Sequence, residues 1–227
     1  MRQKPTPQRS RGNKAGLNLA RIVEAARSLD CDALTMQAVA DLLGVDRKAL
    51  NHHVGNREAL LELVALDAFS SSFSAVQIAA HSRWQDACRT YAMGFVDSMI
   101  AVGALADHLQ LGDPVVTTRF LQPTEAILKK LLEAGFDAET AQRSLALLSN
   151  ICTAYARDTH ITWRSGQRPR PFLLREALKE RDVQGFENLA RLAAAPVDSY
   201  DRQQLAFSID VFVTGLDALV LTRRERD

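Results

Sequence analysis

Apolar side chains recur at three- and four-residue steps through most of this chain, and nowhere do they alternate at period two. That periodicity demands helices, because a half-buried strand shows alternation instead. No repeat of 20–50 residues is visible, so a solenoid is not expected. The expected fold class is all-α. At 227 residues the chain suits one large or two modest domains. With 47% hydrophobic and 24% charged residues it can fill a core, which excludes a wholly disordered chain. No uninterrupted apolar run approaches the ~20 residues of a membrane span, and Met1-Arg2-Gln3-Lys4-Pro5 opens no signal-peptide core. Cys31, Cys88 and Cys152 are far apart and form no CxxC pair. The expected setting is the reducing cytoplasm, with no membrane partner.

The first helical stripe is Leu19, Ile22, Val23, Ala26 and Leu29, broken at Asp30 to Asp32. Thr35 is a good N-cap for a second short helix that buries Met36, Val39, Ala40 and Leu43. Gly44 is placed to stop it. A third short helix begins near Asp46 and ends at Gly55-Asn56. A longer one runs from Arg57 through Phe69. Beyond it, Trp84, Cys88, Tyr91, Phe95 and Met99 mark a helix, and Gly112-Asp113-Pro114 interrupts. Pro123 and Thr124 open a short helix ending at Gly135, and Asp137 caps a long one. Residues 165–171 read as a loop, Ala195-Pro196 as a break, and a last helix carries 205–219.

Charge is unevenly spread. Residues 1–57 hold ten basic and five acidic side chains, hence +5; the whole chain is +1, so the remainder carries −4. A basic head suits a polyanion. Residues 1–14 hold Arg2, Lys4, Arg9, Arg11 and Lys14 and no acid, and read as a mobile arm. Three short helices with a tight Gly turn between the second and third describe a helix-turn-helix. Val39, Leu43, Val45 and Leu50 would form its small core. Asp46, Arg47, Lys48, Asn51 and His52 would face outward, able to read base edges or hold phosphate. A helical hairpin with a solvated polar face has the same pattern.

Residues 17–69 resemble the DNA-binding domain of the TetR family of bacterial repressors. The likeness rests on Leu34-Thr35-Met36-Gln37-Ala38-Val39-Ala40-Asp41-Leu42-Leu43-Gly44-Val45 and on Ala49-Leu50-Asn51-His52-His53-Val54-Gly55-Asn56-Arg57-Glu58-Ala59-Leu60-Leu61. In the body, Trp84-Gln85-Asp86 and Glu133-Ala134-Gly135-Phe136 are similar to the tetracycline-repressor branch. The resemblance implies three segments: an arm over 1–16, a helix-turn-helix domain over 17–62, and an effector-binding and dimerisation domain over 63–227. It implies double-stranded DNA contacts by Thr35, Gln37, Arg47, Lys48, Asn51, His52, His53 and Arg57. Asn51 stands where the family usually has Tyr, and Ala49 where it has Thr, which leaves the operator sequence open.

The same resemblance implies a small-molecule pocket, with Trp84, Tyr91, Phe95, His108, Ile127, Tyr155, Asp158 and His160 as candidates. Asp158 falls near an acidic position that helps hold hydrated magnesium in the tetracycline branch, but Ile127 replaces a polar tetracycline contact, and Ser72 and Phe73 replace others. A mostly apolar pocket for a hydrophobic effector is the default, with magnesium an option. The stripes Ala141, Leu145, Leu148, Cys152, Tyr155 and Leu205, Ile209, Phe212, Leu216, Leu219 suit a four-helix dimer seam. Buried helices of one protomer use the same spacing. The expected function is a dimeric, non-enzymatic repressor released from a palindromic operator by an effector. A regulator controlled by a protein partner is the alternative. A metal protein using His108, Asp158 and His160 is a third, opposed by the lack of an ExxH pair, a phosphate loop or a nucleophile motif.

Overall fold

A computed structural model describes residues 16–109, 120–165, 169–179, 184–194 and 201–224. Its regular elements among these are helical, with no strand. They are α1 (Leu19–Arg27), α2 (Met36–Leu43), α3 (Arg47–Val54), α4 (Arg57–Ser74), α5 (Trp84–Ala101), α6 (Leu121–Glu133), α7 (Ala138–Ser165), α8 (Pro169–Lys179), α9 (Glu187–Ala194) and α10 (Arg202–Arg224). The chain divides into two compact units, Met1–Val64 and Ala65–Asp227. The division falls within α4.

In the first unit each α-helix start carries a side-chain cap. Asn18 accepts from the Arg21 N–H at 3.0 Å, Thr35 from Ala38 at 3.1 Å, Asp46 from Lys48 at 2.7 Å and Asn56 from Ala59 at 2.9 Å. These bonds satisfy donors that a helix leaves without intrahelical partners. The end of α2 is closed by Gly44 in the left-handed region, φ +64°. There the Val45 N–H donates to Ala40 O at 3.0 Å and the Gly44 N–H to Asp41 O at 3.1 Å. This is the paired bonding of a Schellman turn. The unit's core is Ile22, Val23 and Ala26 of α1, Leu34, Met36, Val39 and Ala40 around α2, Leu50 and Val54 of α3, and Leu60, Leu61 and Val64. Leu43 and Val45, expected in that core, are half-buried at its edge.

The second unit is built around α5, which packs on α6, α7 and α10. Phe69 lies edge-on to Phe95 with centroids 5.2 Å apart, and Phe73 edge-on to Tyr91 at 5.2 Å. Phe120 closes on Phe69 at 5.0 Å. Such edge-to-face pairs are the geometry that the ring quadrupole favours. Asp137 caps α7, accepting from the Thr140 N–H at 2.7 Å.

Three boundaries differ from expectation. α4 continues past Phe69 to Ser74. α6 begins at Leu121, with Pro123 inside its first turn, where a missing N–H costs no intrahelical bond. Residues 169–171, read as loop, open α8 with Pro169 at its first position. Residues 166–168, the Gly112–Pro114 interruption, the Ala195-Pro196 break and the basic arm up to residue 15 lie outside the described residues. Two segments, Arg57–Ala80 and Arg202–Val220, are long and apolar enough to cross a membrane by length and composition. Within them Phe69, Phe73, Leu205, Ile209 and Phe212 are buried in the protein's own core.

Gly44 has open space around the position a β-carbon would take, so a substitution there meets strain without a clash. Gly44→Ala is expected to cost about 1–2 kcal/mol of stability, measured as a lowered midpoint of denaturant unfolding.

Candidate nucleic-acid interface and effector cavity

α3 has two unlike faces. Leu50 and Val54 point into the first unit's core, while Arg47, Lys48, Asn51, His52 and His53 are exposed. Residues 47, 48, 51 and 52 follow a one-, three- and one-residue step, so they share one side of the helix. The first turn of α3 holds Arg47 and Lys48 and no acid. A helix N-terminus carries partial positive charge and favours anions, so two cations there oppose the helix's own stability. Among the described residues, none engages the side chains of Arg47, Lys48, Asn51, His52 or His53. The local rule is thus broken at an exposed cation pair, a kind of departure that functional surfaces show.

The other three DNA-contact candidates are held within the protein. Thr35 is the cap of α2. Gln37 Nε2 donates to Asp41 Oδ1 at 2.8 Å along the same helix. Arg57 Nε donates to Leu34 O at 2.9 Å, and a second guanidinium nitrogen reaches Cys31 O at 3.5 Å. Arg57 therefore ties the start of α4 to the chain before α2. The i, i+4 spacing of Gln37 and Asp41 could have signalled the first bond. No local pattern announces the second, which spans 23 residues.

In the body, most effector candidates are packed in the core. Tyr91 and Phe95 belong to the aromatic cluster, and Tyr91 Oη shares a hydrogen bond with Ser149 Oγ at 3.2 Å. Trp84 lies edge-on to Phe136 at 5.1 Å, and Ile127 is fully buried. Tyr155, Asp158 and His108 are half-buried.

A cavity of about 220 Å³ opens beside α7, lined by Met99, Ala106, Asp107, Ala156, Arg157 and His160. Of the sequence candidates His160 lines it; Asp107 and Arg157 are chain neighbours of the residues expected there. His160 Nε2 is buried, has no hydrogen-bond partner among the described residues, and lies 3.8 Å from Asp107 Oδ1. Among the described residues no three His, Cys, Asp or Glu side chains group to hold a metal ion.

Most residues expected at the dimer seam face the protomer's own core. Leu148, Cys152, Leu205, Ile209, Phe212 and Leu216 are buried within the protomer, and Leu145 packs against the same core. Leu219 is 53% exposed. The reason is that α10 is apolar on both sides. Its uncovered stripe is Phe207 at 64% and Val211 at 56% exposure, continued by the exposed Gly215 and Ala218. On α7 the exposed counterpart is Leu147, followed by Asn150 and Ala154.

Burial raises the Cys88 and Cys152 thiols from 9.0 to about 12, and Tyr91 from 10.0 to about 12. Each group ionises more readily when unfolded, so its stabilising contribution is full below its unfolded value and fades as pH rises toward 12. Denaturant stability should therefore fall with pH above about 9. Replacing both buried cysteines by Ala should flatten that fall; an unchanged slope would dissociate it from the thiols.

No protein-family model matches the chain. The class D tetracycline repressor protein of Escherichia coli is 27% identical over 196 residues, 78% of this chain and 89% of the relative. The class H tetracycline repressor protein of Photobacterium damsela subsp. piscicida gives the same identity and coverage. The TetR family protein ActR of Streptomyces coelicolor, solved in complex with actinorhodin, is similar with a TM-score of 0.66 and 26% identity. That match covers 90% of this chain and 97% of ActR.

Proposed function

We propose that this chain, which belongs to the TetR family of transcriptional regulators, is a dimeric repressor that leaves a palindromic operator when a small molecule occupies its body. The observation that carries the reading is the exposed cation pair Arg47 and Lys48 in the first turn of α3, beside the unengaged Asn51 and His52. A helix fixed on its apolar side by Leu50 and Val54 presents these groups without first having to order itself. Arg and Lys recognise guanine edges, and Asn recognises adenine.

One recognition helix reads too few base pairs for a genomic search, and a two-fold dimer doubles the reading at half-sites about one helical turn apart. The stripe Phe207, Val211, Gly215 and Ala218 supports such a dimer. Large apolar groups left exposed in a row mark an interaction surface. The similarity to repressors named for tetracycline, and to a regulator solved with actinorhodin, supports a small molecule as the signal. A ligand that favours one of two conformations shifts the population toward it, and release follows if that conformation fits the operator poorly.

The test is an anisotropy titration on duplex DNA from upstream of the chain's own coding sequence. Arg47→Ala and Lys48→Ala should each weaken binding by about 1–3 kcal/mol for a lost base contact, with unfolding midpoints unchanged. Unchanged affinity in both would remove α3 from the interface. Phe207→Glu with Val211→Glu should yield a folded monomer with greatly weakened operator binding. Leu216→Glu should unfold the protein, since it buries a charge in the protomer's own core. A dimer that survives the first pair of substitutions would place the interface elsewhere.

A further inference from the structure

The cavity beside α7 has an unusual lining. Met99 of α5, Ala106 and Ala156 give it apolar walls, and Asp107, Arg157 and His160 give it a polar side. His160 is largely enclosed, its side chain 14% exposed, and among the described residues its Nε2 has no hydrogen-bond partner. A buried polar atom left unsatisfied is costly, and a bound group that satisfies it recovers that cost. The 3.8 Å between this nitrogen and Asp107 Oδ1 is too long for a direct hydrogen bond and short enough for one bound atom to reach both.

The charges decide what that atom is. An anion placed on His160 Nε2 would sit against the Asp107 carboxylate. A cation would share the cavity with the positively charged Arg157, one of its lining residues. A neutral group that both donates and accepts avoids both repulsions. A hydroxyl is that group, donating to the carboxylate and serving the imidazole nitrogen. The two alanines leave flat walls, and the Met99 thioether favours aromatic contact. A 150 Å³ apolar cavity holds benzene, so about 220 Å³ accepts a single substituted ring.

We propose that this cavity takes a neutral hydroxyaromatic ligand whose hydroxyl group bridges His160 Nε2 and Asp107. This assignment rests on reading the body as an effector-binding domain.

The test is calorimetric binding to the full chain, without DNA, of four ring compounds. They are para-ethylphenol, its methyl ether, the para-ethylbenzoate anion and para-ethylbenzylammonium. The phenol is expected to bind about tenfold more tightly than each of the others, the scale of one satisfied buried hydrogen bond. His160→Phe should reduce that advantage to less than about twofold. Asp107→Asn keeps a half-exposed side chain and does not threaten the fold. It should strengthen benzoate binding relative to the phenol by removing the repelling charge, so it decides the matter if His160→Phe fails to fold.

A benzoate or ammonium ligand that binds best would overturn the proposal. So would a phenol preference that survives His160→Phe, an order unmoved by Asp107→Asn, or no phenol binding at millimolar concentration. Because DNA is absent, these results judge the ligand class by itself. If the phenol binds as expected but leaves operator binding untouched, it is the regulatory reading that fails.

Discussion

In the first unit, the two backbone bonds that close the Gly44 turn fix how the chain leaves α2 and enters α3. Everything about the proposed DNA face depends on that exit. Asp46 follows two residues later as the cap of α3, and it offsets in part the cost of the cation pair beside it. Leu50 and Val54 then sit at four-residue spacing on the buried side, which leaves 47, 48, 51 and 52 on the outer one. Rigid backbone on one side and unengaged polar groups on the other are what a reading helix requires.

The body is held by a different balance. Arg89 pairs with Asp210 at 2.8 Å, Gln85 Nε2 donates to Asp217 at 3.1 Å, and Arg202 pairs with Asp97, so three polar links join α5 to α10. Each involves exposed or half-exposed groups, and an exposed ion pair contributes about 0–1 kcal/mol. A fully buried Leu or Phe contributes about 1.5–3 kcal/mol. Leu205, Ile209, Phe212 and Leu216 therefore dominate, and the polar links serve to set the register of α10 on α5.

The helices of the first unit and the start of α7 were legible in the sequence because caps and glycine stops are local, whereas α8 and α9 were not anticipated. Thr35, Asp46, Asp137, Gly44 and Gly135 each act within a few residues of where they stand. The Arg-Pro-Arg-Pro run misled for a related reason. Proline in a first turn resembles proline in a loop when only the residue type is known. The candidate sites were harder. α10 carries apolar residues on two faces, and period alone does not say which is inside. Of the cavity's polar lining the resemblance pointed to His160, but to 108 and 158 where Asp107 and Arg157 stand. One residue along a helix turns the side chain by about 100°. Arg57 was expected at phosphate and is bonded to Leu34 O, a contact between residues far apart in the chain.

Amide hydrogen exchange with and without a long duplex of arbitrary sequence tests the central claim, that α3 is the surface that meets DNA. It needs no knowledge of the operator, because phosphate contacts are made to any sequence. The account predicts slower exchange across residues 46–54 when the duplex is added at low salt, fading as salt rises. Unchanged exchange at 46–54 while the duplex is bound would contradict it.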